Sequence, residues 1–470
     1  MPQTAPSPAE TNIDLQSLVT DVVALAMKAG ATDAEAVARE GDEFSVNVRM
    51  GEVETIKESG SRALGLRVFR GKRSASTSTS DLTSDGVRKL IEGAMALSQI
   101  TEEDPFAGLP EAEEFGPAVE IPRAEDQHLY FDDVYSLPAA ERVEWARRCE
   151  AAALAADPRI NNSDGGSFDA STGRRAIANS RGFAGGYRSS YAGVSAAPLA
   201  TDADGKMQRD GWWSSARSLA LLDSPESVGL EAARRTIRRL GARRVPTQRV
   251  PIVFSPESAR TLIGSIFDAV SGDSIWRGAS FLAGKLGETI AVSGLTVVDD
   301  NLMVLSNGAG GFGTSPFDAE GLPSLRTLVI EHGVLKNYML NTYTARKLGM
   351  KSTHNGARGL AGTPGVGCGN LYVHPGLSSK EQVVGDVKAG LYVTSLMGTG
   401  VNVVTGDYSR GAAGLWIENG ELTHAVEEIT IAGNLGEMLK NITAIGSDLV
   451  FRTSIASPTL RIDGMTVGGS

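Results

Sequence analysis

The first clear period in the chain falls in NIDLQSLVTDVVALAMKAGA, where Leu15, Leu18, Val22, Val23, Leu25 and Ala26 recur at helical spacing before Lys28 and Gly30. That pattern predicts an amphipathic helix with a glycine stop. Three strand-like runs follow, DAEAVARE, EFSVNVRMGEVETIKES and SRALGLRVFRGKRSASTST. In them Phe44, Val46 and Val48, and later Leu64, Leu66 and Val68, alternate with polar residues, as in a sheet with one covered face. Ser84 is placed to cap a helix through DGVRKLIEGAMALS, and residues 99–136 read as a polar, proline-containing connection. AAERVEWARRCEAAALAAD predicts a further helix, more strands are expected over 159–221, and residues 226–244 read as helix. The Trp212-Trp213 pair suits strand packing better than a stacking platform.

After RVPIVFSPESARTL the period becomes mainly that of strands, expected near 250–254, 289–299, 325–331, 334–339, 392–396, 412–418, 422–432 and 459–463. One helix interrupts them. Ser255 can cap it, Pro256 suits its first turn, and Ala259, Leu262, Ile263, Ile266, Phe267 and Val270 form its apolar stripe. The reading is α+β: a disordered tail at 1–12, an N-terminal α/β domain with a mostly antiparallel sheet at 13–225, and a β-rich C-terminal domain at 226–470.

Composition narrows the function classes. With 41% apolar residues in 470, the chain suits a globular protein of two or three domains. No apolar run approaches the ~20 residues of a spanning helix, so no membrane role is expected. Cys149 and Cys368 are its two cysteines, too few for a disulfide framework, and the cytoplasm is the expected compartment. A net charge of −11 argues against general nucleic-acid affinity. One basic run exists, Arg234, Arg235, Arg238, Arg239, Arg243, Arg244 and Arg249. The favoured reading is a solvated helix face, and the alternative is an anionic partner. Fifty-five dispersed glycines fit tight turns between short strands.

Motifs exclude more than they assign. No two of His128, His332, His354, His374 and His424 lie within four residues of each other, so no local zinc pair exists. Gly308, Gly310 and Gly313 have dinucleotide-fingerprint spacing, but the turn-rich TSPFDAEGLP follows where a helix is required. GxSxG, Walker A and CxxC patterns are absent. Two loops gather functional residue types. Asn341–Gly359 carries Tyr343, Arg346, Lys347, Lys351, His354 and Arg358, and Met397–Glu421 carries Asp407, Tyr408 and Arg410 between glycines. A glycine-flanked Asp-Tyr-Ser-Arg offers side chains and backbone N–H groups to a carboxylate or an extended peptide. An internally bonded turn explains the same residues equally well.

These loops, with FDAEGLPSLRTLVIEHGVLKNYMLNTYTARKLG and VEEITIAGNLGEMLKNITAIGSDL, closely resemble the PmbA/TldE family, once described as a modulator of DNA gyrase. The likeness runs from about residue 15 to the C-terminus, and VTGDYSRGAAGLWIENGE is its most specific part. It implies a TldD/PmbA-type C-terminal domain and pairing with a homologous TldD-type subunit. That partner holds zinc or a similar metal and cleaves unfolded peptides, including antibiotic precursors and a labile antitoxin. A homodimer without the partner is also open. TldD-type subunits carry His-Glu-x-x-x-His on the helix at 255–272 and a later cysteine. Here those positions fall on Phe267, Asp268 and Gly272, and Ile445–Ile462 contains no cysteine. The implication is a chain with no catalytic or metal residues of its own, acting as the metal-free subunit. Its substrate or partner contacts are then expected at Asp407, Tyr408, Arg410, Tyr343, Arg346, His354 and Arg358. Two rival readings are a stand-alone peptidase with another kind of site and a non-enzymatic regulator or binding protein.

Overall fold

Asp14 accepts a hydrogen bond from the Gln16 backbone N–H (3.1 Å) and caps α1 (Leu15–Lys28). Leu15, Val19, Val22, Val23 and Ala26 are buried, whereas Leu25, read as part of the stripe, is exposed. The structure is a computed structural model that describes residues 14–115 and 120–469; the tail expected at 1–12 lies outside them.

The three expected runs regroup into β1 (Asp33–Arg49), β2 (Glu52–Arg70) and β3 (Arg73–Thr79). Gly41 and Gly60 do not break them, because both are paired inside the β1–β2 ladder, Gly41 with Ser61 and Gly60 with Asp42. The chain turns instead at Met50-Gly51, both with positive φ, as a two-residue hairpin requires. Thr83, rather than Ser84, caps α2 (Ser84–Ile100), its Oγ1 accepting from Gly86 N–H at 3.2 Å. The polar connection holds the single-turn α3 (Ala112–Phe115), and α4 (Ala139–Ala155) follows it. Next come β4 (Ile160–Asn179), β5 (Ala184–Thr201), β6 (Met207–Arg209), β7 (Trp212–Ala216) and α5 (Pro225–Ile237). The sheet order is β3-β2-β1-β4-β5-β6 with β7 also beside β5, antiparallel throughout.

β1 shows why periodicity changes along one strand. Phe44, Val46 and Val48 alternate with polar residues because only one face is covered, by α4 and its neighbours. Ala34–Ala38 is continuously buried, since α1 and α2 cover one face and the C-terminal half covers the other. On that second face Phe183 and Tyr187 meet Phe317 edge-on at 5.0 and 5.5 Å. Leu360 comes so close to Gly65 that a Cβ there would strike its carbonyl. α5, which the boundary at 225/226 assigned to the second domain, packs on α4 and β5 through Val228, Ala232 and Ala233.

The C-terminal half begins with β8 (Gln248–Phe254), α6 (Pro256–Val270) and α7 (Gly272–Trp276). It continues through β9 (Val297–Asp300), β10 (Arg326–Glu331), β11 (Val334–Leu335), α8 (Thr342–Leu348), β12 (Gly356–Ala357), β13 (Gly365–Val366) and β14 (Leu371–Val373). It ends with α9 (Lys380–Gly385), β15 (Ala389–Met397), β16 (Asp407–Glu418), β17 (Glu421–Asn434), α10 (Leu435–Lys440), β18 (Ile442–Ile445), β19 (Ile455–Ala456) and β20 (Leu460–Gly468). The strands expected over 289–299 and 334–339 shrink to β9 and β11, because Ile290 and Ala291 bond to the Gly333 carbonyl across a turn. One sheet runs β17-β16-β15-β8-β20-β18 and closes through β17–β20 pairs; a second runs β11-β10-β9-β14-β19. α6 packs against strands of both, burying Ala259, Leu262, Ile263, Ile266, Ala269 and Val270 in the largest core cluster.

Candidate functional site

Ser255 accepts from Ser258 N–H (3.3 Å) and Pro256 opens α6, as the sequence indicates. Positions 267 and 272 are ~140° apart on an ideal helix, so ligands there require a break between them. The break exists. α6 stops at Val270, Ser271 is extended (φ −62°, ψ 131°), and Gly272 starts α7 with its N–H donating to Met339 O at 2.8 Å. β19, from the segment where a third ligand would belong, lies along the same helix. Its Ile455 stands 4.0 Å from where a Cβ on Gly264 would be.

The residues do not fit a metal. A Cβ on Gly272 would sit 2.7 Å from Thr344 Cβ and 2.8 Å from Leu340 Cδ2, so α8 occupies the space a ligand side chain needs. Phe267 is half-buried against the core, not fully absorbed as its place in the stripe predicts. Asp268 is reached by solvent, but the surrounding protein raises its carboxyl above the usual range by desolvation. Cys368 is the nearest thiol in character, and burial followed by the Asp299 charge pushes it up to about 12, leaving it a poor ligand and nucleophile. Among the described residues, no group of three or more His, Cys, Asp or Glu is arranged to hold a metal ion.

The two loops chosen for contact separate. Asn341 does not begin a loop: it forms a capping box with Thr344 and opens α8. Tyr343 then donates to Asp104 Oδ2 at 2.8 Å, and Arg346 donates to the carbonyls of Leu109 (2.7 Å) and Gly108 (3.2 Å). Lys347 lies 4.3 Å from the Phe106 ring centre, while Lys351 is exposed. The buried His354 holds Nδ1 2.7 Å from Pro323 O, which makes that nitrogen the donor, and desolvation lowers its pKa. Arg358 pairs with the buried Glu35 of β1, which also forms an ion pair with Arg67, Nε to Oε1 2.6 Å. As contact candidates Tyr343, Arg346, His354 and Arg358 are therefore corrected: each is spent on the fold, three of them on joining the two halves.

Asp407–Arg410 is likewise not a loop. It is the start of β16, paired with Asn434–Ile431 of β17, and its alternation puts Tyr408 inside and Asp407 and Ser409 outside. Burial pushes the Tyr408 hydroxyl up to about 12, so Tyr408 is core. Asp407 accepts from Thr405 Oγ1 (2.7 Å) at the surface. Arg410 reaches α6, where Nη1 donates to Thr261 Oγ1 at 3.2 Å. Thr261 and Asp268 are two turns apart on one face, with the side-chain-free Gly264 between them. This stripe, flanked by Arg410 and Ile455, is a track with one cation, one carboxylate and a partly exposed glycine. It suits holding a chain better than cleaving it.

Among the buried acids that sequence reasoning missed, Asp299, Asp318 and Glu320 are perturbed by their surroundings. Desolvation raises Asp299 to about 7 although Asn355 and Gly369 N–H both bond it at 2.8 Å. Desolvation also raises Asp318 and Glu320, and the Asp318 charge pushes Glu320 up further. The glycine motif proved structural. Arg217 donates to the carbonyls of Gly310 (2.8 Å) and Gly311 (2.7 Å), and no helix follows Gly313.

Three family profiles match in series: PmbA/TldA metallopeptidase domain 1 over residues 34–98, the central domain over 132–240, and the C-terminal domain over 247–469. Metalloprotease PmbA of Escherichia coli O157:H7 is 37% identical over 447 residues, covering 95% of this chain and 94% of that protein. This chain belongs to the PmbA/TldD family. A metalloprotease TldD homolog of Buchnera aphidicola is 25% identical over 257 residues, covering 51% of this chain and 52% of the homolog. A crystal structure from Bacteroides thetaiotaomicron, described as a candidate modulator of DNA gyrase, superposes with a TM-score of 0.88 at 25% identity, covering 97% of this chain and 99% of the other.

Proposed function

We propose that this chain is the metal-free subunit of a TldD/PmbA-type heteromeric metallopeptidase acting on unfolded peptides. The carrying observation is Gly272: α8 fills the space beside it, so the second ligand position cannot hold a side chain without moving Thr344 and Leu340. A homologous TldD-type subunit would supply the metal, and the likeness of a TldD homolog to half of this chain supports a pseudo-symmetric pairing. This chain would present the α6 stripe to substrate. Gly264 leaves room for a passing backbone, Arg410 offers a donor to a peptide carbonyl or carboxylate, and Asp268 accepts from a backbone N–H or an amine. Recognition through backbone bonds gives weak sequence preference and a demand for extended chains.

Co-expression with the TldD-type homologue, followed by mass, metal analysis and peptide digestion, tests the reading. The expected result is a complex that binds metal in the partner and outperforms the partner alone. Stoichiometric zinc in this chain alone, with EDTA-sensitive cleavage, overturns it.

A further inference from the structure

The basic run is a solvated face only in part: Arg234, Arg243, Arg244 and Arg249 are exposed, but Arg235 and Arg238 are not. Arg235 is 7% exposed, and on Arg238 both Nε and Nη2 are shielded from water with no hydrogen-bond acceptor. Arg238 and Arg260 of α6 project into one cleft of about 260 Å³ between the two halves, and Arg260 Nε is likewise buried without an acceptor. Lys380 joins them, its Nζ 4.9 Å from the Tyr392 ring centre and its pKa lowered by desolvation and then by Arg238. The wall is rigid: Trp212 is stacked between Arg235 (4.7 Å) and Arg452 (4.5 Å).

The carboxylates nearby do not balance these charges. Glu231 is engaged by Arg234 (2.7 Å), Asp448 is bonded by Thr459 N–H (2.8 Å) and Oγ1 (2.7 Å), and Asp210 faces Arg235 (3.5 Å). Glu257, in the first turn of α6, is the other acid in the wall. Arg238, Arg260 and Lys380 therefore face two carboxylates, Glu257 and Asp448, and keep a net positive charge in a partly desolvated site, an arrangement that is costly without an added counter-charge.

We propose that this cleft is a binding site for a small phosphate-bearing anion, held by Arg238, Arg260 and Lys380. A phosphate carries about −1.5 to −2 at neutral pH and offers several oxygens to the two guanidinium forks and the ammonium, so one compact anion can engage all three cations at once. The cleft is smaller than the ~300–1,000 Å³ of drug-sized sites, which limits the occupant to a compact anion. It opens at the N-terminal end of α6, and the Asp268 stripe lies toward the other end of that helix. The inference does not depend on the companion-subunit reading.

Titration of the full chain with inorganic phosphate, followed by calorimetry and by ³¹P line width at ionic strength matched with chloride, tests the site. The expected result is saturable binding, weakened ~10-fold or more by Arg238→Gln or Arg260→Gln, since a bond to a charged group contributes ~1.5–3 kcal/mol. Arg239→Gln, outside the cleft, should leave it unchanged. If neither arginine variant folds, Lys380→Gln provides the same reading. No saturable phosphate binding, unchanged affinity in the cleft variants, or binding of citrate but not phosphate overturns the proposal.

Discussion

Asn341–Arg358 and Asp407–Arg410 carry the same kinds of residue and have opposite fates. The first is consumed in joining the two halves, through Tyr343 to Asp104, Arg346 to the 108–109 carbonyls and Arg358 to Glu35. The second becomes strand, sinks Tyr408 into the core, and leaves Asp407 exposed and Arg410 partly buried against α6. Residue type told little about role. What each side chain meets decided it.

The sharpest way to break this comparison is Arg358→Ala. It would leave Glu35, which is 0% exposed, with Arg67 as its remaining ion-pair partner, and removing one member of a buried pair costs ~3–5 kcal/mol. Denaturant midpoints measure it, and a loss no larger than that of an exposed charge would sink the interface role of this segment.

Asp299 extends the test to pH. Its folded pKa, about 7, lies above the ~4 of an unfolded aspartate, so the folded state keeps a proton that the unfolded state has released. The stability this contributes is fully present below ~4 and is lost as pH rises through about 7, with a slope of up to ~1.4 kcal/mol per pH unit. Asp299→Asn should flatten that decline in urea midpoints taken at several pH values. An unchanged slope would reject the assignment.

Placing metal-ligating residues at the α6 positions is the next test. Phe267→His, Asp268→Glu and Gly272→His together should destabilise by ~1–3 kcal/mol through overpacking against Thr344, and should still bind no zinc. Tight zinc binding by this variant would show that α8 yields easily. The smallest effect belongs to the surface strand. Arg410→Ala and Asp407→Ala should each change stability by less than ~1 kcal/mol. In the reconstituted pair, however, Arg410→Ala should raise the KM for peptide while Asp407→Ala does not; equal kinetics would remove Arg410 from the track.

Much of the fold was legible because local signals agree with it. The cap at Ser255, the Pro256 start and the apolar stripe of α6 are local chemistry, and they sit where the sequence puts them. The Asn341–Thr344 capping box and the Gly349 stop were available signals for α8, but the charged residues between them drew attention instead. Gly41 and Gly60 misled because a glycine in a long paired strand resembles one in a turn until its partner strand is known.

By itself the sequence determined most element types, the α+β class, the family resemblance and the residue types at positions 267, 268 and 272, on α6 and just past its end, since these depend on residue identity and short-range spacing. Only the tertiary structure decided that Gly272 is closed by α8, that Arg358 serves Glu35, and that Arg238, Arg260 and Lys380 converge in one cleft. Those facts involve residues up to 323 positions apart. No local period encodes such meetings, because they exist only after the hydrophobic faces of separate elements have packed.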